Sequence, residues 1–265
     1  MSDLRHPSRS RRCVQIGARI GALVVLAAGV AGGLTPAVAA PAAEYRQLDG
    51  AGLISVLPQP AEAAPWIGPR NVERDDTKSY APQNGLVVCY LSVDDSKVVR
   101  GAKADLGAYS FVLYQSFPGG GFMNTIVRIL QFPDVAAADA AWSDLLVKAK
   151  ACGGPHEFPY FAEDQSVIGK TTSQTTVRMG DLQYGSRSLV LTTRSQSQKT
   201  GASAPDRTGG GVNIWRRVGN VLVETNMVKL VPGGVRSSLS SSDLATANAM
   251  SLLTGERYVA AARVG

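Results

Sequence analysis

Once the first 39 residues are set aside, the chain holds one histidine, His156, and two cysteines, Cys89 and Cys152. They bound the chemistry available. A single imidazole excludes metal sites built on two or three histidines. Its remaining catalytic use is as a general base beside a serine. His156 follows Gly153-Gly154-Pro155, on an expected loop, and the chain has no Gly-x-Ser-x-Gly elbow to present the nucleophile. The acidic pairs Asp75-Asp76, Asp94-Asp95 and Glu163-Asp164 read as solvated turns, because no Asp-x-Asp-x-Asp-Gly loop accompanies them. Gly169-Lys170-Thr171 resembles the end of a phosphate loop. That loop needs a glycine five residues earlier, where Asp164 stands. Neither a metal nor an organic cofactor is expected, and no catalytic set is complete.

Groups suited to binding are easier to find. Aromatic and basic side chains near strand and loop ends make Trp215, Arg217, Tyr160 and Phe161 the candidate cleft residues for a small ligand. Phe158, Tyr160 and Phe161 lie in a Pro-rich segment read as a loop, forming either a lid on the core or the rim of a cleft. Trp142 falls on an apolar helix stripe and reads as core.

The compartment follows from the N-terminus. Arg5, Arg9, Arg11, Arg12 and Arg19 precede an uncharged apolar run, Ile20–Leu34, and Ala37-Val38-Ala39 offers a small-x-small cleavage site. This is the three-part pattern of a signal peptide over residues 1–39, too short in its apolar part for a good spanning helix. A retained anchor is the alternative. Cleavage changes the charge. The whole chain has 27 Lys plus Arg and 21 Asp plus Glu; less the five arginines and Asp3 of the leader, 22 bases and 20 acids remain. Nucleic-acid binding needs a clustered basic surface, and nothing in the remaining sequence resembles one. Arg216-Arg217 is the one adjacent basic pair left, and on a strand its members face opposite sides. In an oxidising compartment the even pair Cys89 and Cys152 reads as a disulfide.

The elements that must position these groups form one domain over 40–265. Ala40–Pro69, rich in Ala and Pro but carrying Tyr45, Leu48, Leu53, Ile54 and Trp66, is expected to pack on it. Leu86–Leu91 reads as a buried strand. Tyr109–Phe117 and Phe122–Phe132 read as a hairpin about Pro118-Gly119-Gly120-Gly121. Asp134 caps a helix whose stripe Val135, Ala138, Trp142, Leu145, Ala149, Cys152 repeats every three or four residues, and Gly153-Gly154-Pro155 ends it. Thr175–Met179 and Ser188–Arg194 alternate like strands. Val212–Val218 and Val221–Leu230 flank the turn dipeptide Gly219-Asn220. Ser195–Gly211 and Pro232–Ser242 read as loops, and Asp243–Thr254 as a last helix with Leu244, Ala247, Met250 and Leu252 partly buried. Strands joined by tight turns pair antiparallel. The fold class is α+β: an antiparallel sheet with helices packed on one face and one disulfide.

Phe132-Pro133-Asp134 leading into the helix with Trp142, then Ala151-Cys152-Gly153-Gly154, resembles the extracellular sensor domain of the mycobacterial PknH kinase family. So do Arg216-Arg217-Val218-Gly219-Asn220-Val221-Leu222-Val223 and the terminal helix with Ala245, Ala247, Ala249 and Leu253. Pro60-Ala61-Glu62 within Leu53–Gly68 matches the family's opening helix, and the resemblance spans Tyr45 to Thr254. It implies an antiparallel sheet, a cleft for an unknown small ligand, and no catalysis. Such domains usually carry two disulfides, and here there are cysteines for one; no kinase accompanies it. The sequence thus points to an exported, non-enzymatic ligand-binding or sensor-like domain of the cell envelope, a monomer whose partner is a small ligand or an envelope component. The alternatives are a secreted hydrolase using His156 and an envelope-associated interaction module presenting an apolar or edge-strand surface.

Overall fold

In a computed structural model, residues 44–59, 62, 71–91, 98–117, 121–162, 164–180, 187–233 and 239–264 are described. The expected leader, Asp94-Asp95, Glu163 and the tip of the first hairpin lie outside them. The elements run α1 (Gly50–Val56), β1 (Asn71–Tyr80), β2 (Val87–Tyr90), β3 (Val98–Arg100), β4 (Leu106–Phe117) and β5 (Gly121–Gln131). Then come α2 (Val135–Ala149), β6 (Gly154–Phe161), β7 (Val167–Met179), β8 (Ser188–Lys199), β9 (Arg207–Val218), β10 (Val221–Pro232) and α3 (Ser241–Ala262). Eight strands form one antiparallel sheet in the order β1-β4-β5-β10-β9-β8-β7-β6; β2 and β3 pair separately. The α+β class, the antiparallel sheet and the disulfide are as the sequence indicates.

The helices divide between the two faces of the sheet, which corrects the single helical layer. The period of two sends neighbouring residues to opposite sides. Ile214, Val190, Val223 and Ile129 join α1 and α3 in one core, with Leu53, Val56, Met250 and Tyr258. Trp215, Leu189, Leu222 and Leu130 face the other way, against Ala138, Leu145 and Ala149 of α2. Both faces of the central strands are therefore apolar, as doubly covered strands require. α2 begins as expected, with the Asp134 carboxylate accepting from Ala137 N at 2.7 Å. A 3-10 turn, Lys150–Cys152, carries its end to the buried Cys152. Cys89 and Cys152 are bonded, their Cα atoms 6.0 Å apart across a separation of 63 residues. The bridge ties α2 to the β2–β3 hairpin, not to the main sheet.

Several expected loops are strands. The segment with Phe158, Tyr160 and Phe161 is β6, at the sheet edge, where its Pro155 and Pro159 are tolerated because one side of an edge strand donates no ladder bond. β8 and β9 extend into the expected loop 195–211, with Ser195 opposite Gly209 and Thr193 opposite Gly211, so the connection shortens to Thr200–Asp206. The last helix is longer than its expected range, and Leu252 on it is exposed. A capping box between Ser240 and Asp243 starts it.

Candidate functional site

α2 spans 15 residues, roughly 22 Å at 1.5 Å per residue, whereas β8, β9 and β10 have 12 each, roughly 40 Å. The helix therefore covers only part of its face of the sheet. Beyond Leu130, Leu222 and Trp215 the same face turns polar. Moving along β5 and β10 away from α2, the next inward positions are Arg128 and Glu224, then Ile126 and Asn226. On β9 the next is Asn213, followed by Gly211. The result is a cleft made of two adjoining cavities of 550 and 450 Å³ that share Val87, Ile126 and Arg128. The β2–β3 hairpin walls it, held in place by the disulfide.

At its centre Arg128 and Glu224, directly opposed on β5 and β10, form an ion pair at 2.8 Å. Asn213 Nδ2 donates to the other Glu224 oxygen at 2.9 Å. Glu224 is buried, while Arg128 keeps about a third of its side chain exposed to the cleft. Burial pushes the Glu224 carboxyl up, against the pull of Arg128 and the Asn213 amide. The guanidinium is raised by Glu224 in turn. The Asn213 Oδ1 atom is buried and accepts no hydrogen bond from the described residues. Toward β6 the lining is Thr193, Ser195, Thr175, Ser173 and Thr171. Toward β1 it is aromatic: Tyr80 stands edge-on to Tyr109 at 5.8 Å, and the Tyr109 hydroxyl donates to Asp76 at 3.3 Å. Burial raises the Tyr80 hydroxyl, which stays a neutral donor.

The four residues singled out from the sequence are not brought together. Trp215 lies fully buried under α2, with its Nε1 unpartnered. Arg217 turns to the same face and binds Asp139 of α2 at 2.7 Å, a tie between strand and helix. Arg216 turns to the opposite face, as the alternation requires. Tyr160 stands at the far end of the sheet. It aligns through β7 with Lys199, ten residues along β8, roughly 33 Å, from the Leu189 that faces Trp215. Its hydroxyl donates to Asp206 at 2.5 Å. Phe161, partly exposed, ends β6.

His156 borders the cleft, but its Nε2 bonds the Cys152 carbonyl at 3.0 Å, and no carboxylate among the described residues orients the ring. No group of three or more His, Cys, Asp or Glu that could hold a metal occurs among the described residues. Sequence reasoning missed Arg128, Glu224, Asn213 and Tyr80. One signal was present: Arg128 is the single charge in β5, and Glu224 directly follows the apolar Val221-Leu222-Val223 of β10.

No family model matches the chain, and no curated protein does. Among solved structures, the extracellular domain of PknH from Mycobacterium tuberculosis is similar, with 11% identity and a TM-score of 0.45 over 80% of this chain and 98% of that chain. The likeness is one of fold alone.

Proposed function

We propose that this is an exported, non-catalytic domain that binds a small, neutral, hydroxyl-rich ligand of the saccharide type in the cleft over β5, β10 and β9. The observation that carries the reading is the Arg128–Glu224–Asn213 group: planar donors and acceptors, fixed by each other, at the floor of a solvent-open cleft. A free anion would meet Glu224 and a free cation would meet Arg128, so a ligand that both donates and accepts suits the pair best. The orphaned Asn213 Oδ1 asks for a donor. The hydroxyls of Ser173, Thr175, Thr193 and Ser195 extend the polar floor, and Tyr80 and Tyr109 supply an aromatic wall.

Export is supported by the leader pattern and by the disulfide, which persists in oxidising compartments. No helix among the described residues is long and apolar enough to cross a membrane. A binding role, in place of hydrolysis, is supported by the engagement of His156 with a backbone carbonyl. The interaction-module reading is weakened at β6, where Pro155 and Pro159 blunt the edge against strand addition.

Isothermal titration of a panel of defined mono- and disaccharides tests the proposal. At least one should bind, and Glu224→Gln should weaken it about tenfold, as loss of a charge-assisted hydrogen bond does. Absence of binding across the panel, or indifference to the substitution, contradicts it.

A further inference from the structure

On the opposite face of the sheet, the end of β9 and the C-terminal half of α3 enclose a second groove of about 430 Å³, independent of the cleft. Its wall is apolar: Val218 from β9, and Leu252, Val259 and Ala260 from α3, at helical spacings of seven and eight. Gly255 lets the helix approach, since a Cβ there would lie 3.2 Å from Val218. Into this groove the strand sends Arg216. Its side chain is more than nine-tenths buried. Nε donates to Ser251 Oγ at 2.9 Å and Nη2 donates to Asn248 Oδ1. Both acceptors are neutral. The facing strand residues are Ser188 on β8 and Val223 on β10, neither of them an acid.

No carboxylate among the described residues pairs with this guanidinium. Glu256 lines the groove but is exposed at its rim and makes no ion pair with Arg216. Burial alone acts on the charge, lowering its proton affinity, with no acid to offset it. Arginine does not escape by losing its proton, so a buried, uncompensated guanidinium carries a standing electrostatic cost that an incoming anion would relieve. Arg187 and Arg217 also line the groove; Arg217 is already paired with Asp139, whereas the exposed Arg187 adds positive charge at its mouth. A planar donor at one end of an apolar trough is the arrangement that holds a carboxylate head and an alkyl tail.

We infer that this groove binds a single-chain anionic amphiphile, with the carboxylate on Arg216 and the alkyl chain along Val218, Leu252 and Val259. The probe is dodecanoate, titrated into the purified chain by calorimetry beside dodecanol and inorganic phosphate. Dodecanoate should bind one per chain. Dodecanol, lacking the anion, and phosphate, lacking the chain, should each bind at least about tenfold more weakly. Arg216→Gln should lower dodecanoate affinity by a similar factor. Where that variant fails to fold, Leu252→Glu, at an exposed position, places a repelling charge in the trough and should do the same. Dodecanol or phosphate binding as tightly as dodecanoate overturns the proposal, as does full affinity in either folded variant or no binding of dodecanoate. Saccharide binding in the cleft stands or falls separately, because the two sites lie on opposite faces.

Discussion

Arg128 and Glu224 face one another across the β5–β10 pair, 96 residues apart in sequence and 2.8 Å apart in space. Their contact is the polar centre of a sheet face that is otherwise apolar on one side of it and hydroxyl-lined on the other. Removing Arg128 leaves a buried carboxylate with no cation, held only by the Asn213 amide. Arg128→Ala is expected to cost about 2 kcal/mol in urea unfolding at neutral pH, below the cost of breaking a fully buried pair because the guanidinium is partly solvated. The deficit should shrink on acidification. Glu224 already has a raised affinity for its proton in the folded state, and losing Arg128 raises it further. A raised acid adds stability below its unfolded value and loses it as pH climbs through the folded value. A deficit that grows in acid would contradict this electrostatic description.

The Cys89–Cys152 bridge closes a loop of 63 residues. In the chain-entropy view its loss, by Cys89→Ser with Cys152→Ser, should remove about 4 kcal/mol. The β2–β3 hairpin should loosen first, since it belongs to no other sheet. Hydrogen exchange checks this. Protection should fall at Val87–Tyr90 before it falls in β9 and β10.

Gly219 turns the β9–β10 hairpin at φ +55°, and a Cβ there would meet the Tyr45 ring at 2.8 Å. Tyr45 in turn stacks on Tyr258, whose hydroxyl donates to Asn220 Oδ1. Gly219→Ala should therefore destabilise by about 2 kcal/mol, from backbone strain and from displacing the N-terminal segment. Tyr258→Phe strands the Asn220 carbonyl and should cost about 1–3 kcal/mol. Thermal melts of the two variants measure both losses.

Arg257 of α3 grips Glu62 with two hydrogen bonds, at 2.8 and 2.5 Å. That grip, with the Gln59 amide, holds the Glu62 carboxyl down at about 2 against an ordinary 4.5. A depressed acid contributes stability above its unfolded value and loses it as pH falls through the folded one. Wild-type stability should thus fall between about pH 4.5 and 2, and Glu62→Gln should lose that component. The pair is partly exposed, so its contribution is under about 1 kcal/mol.

What the chain discloses before folding depends on whether the signal is local. α2 was legible because its cap, its stripe and its stop lie within twenty residues, and the β9–β10 hairpin because Gly219-Asn220 sits between two apolar runs. β1 was not, since an edge strand with Glu73, Arg74, Asp75, Asp76 and Lys78 has no apolar face to announce it. β6 and the outer halves of β8 and β9 read as loops because Pro, Ser and Gly there are read by propensity, whereas pairing in the sheet decides. The split of helices between faces was hidden in strands apolar on both sides. The cleft is non-local altogether: only register brings Arg128 to Glu224, and only the mismatch between helix and strand lengths leaves them uncovered. Trp215 and Arg217 were legible as unusual residues, but their partners, the underside of α2 and Asp139, make them ties between the sheet and that helix.

The saccharide cleft is tested most directly by following side-chain signals during titration with the tightest sugar of the panel. The Asn213 side-chain amide and the Arg128 Nε–H resonance should shift together and saturate, while Leu252 on the opposite face stays still. A bound sugar that leaves Asn213 and Arg128 unmoved would place the site elsewhere and contradict the account.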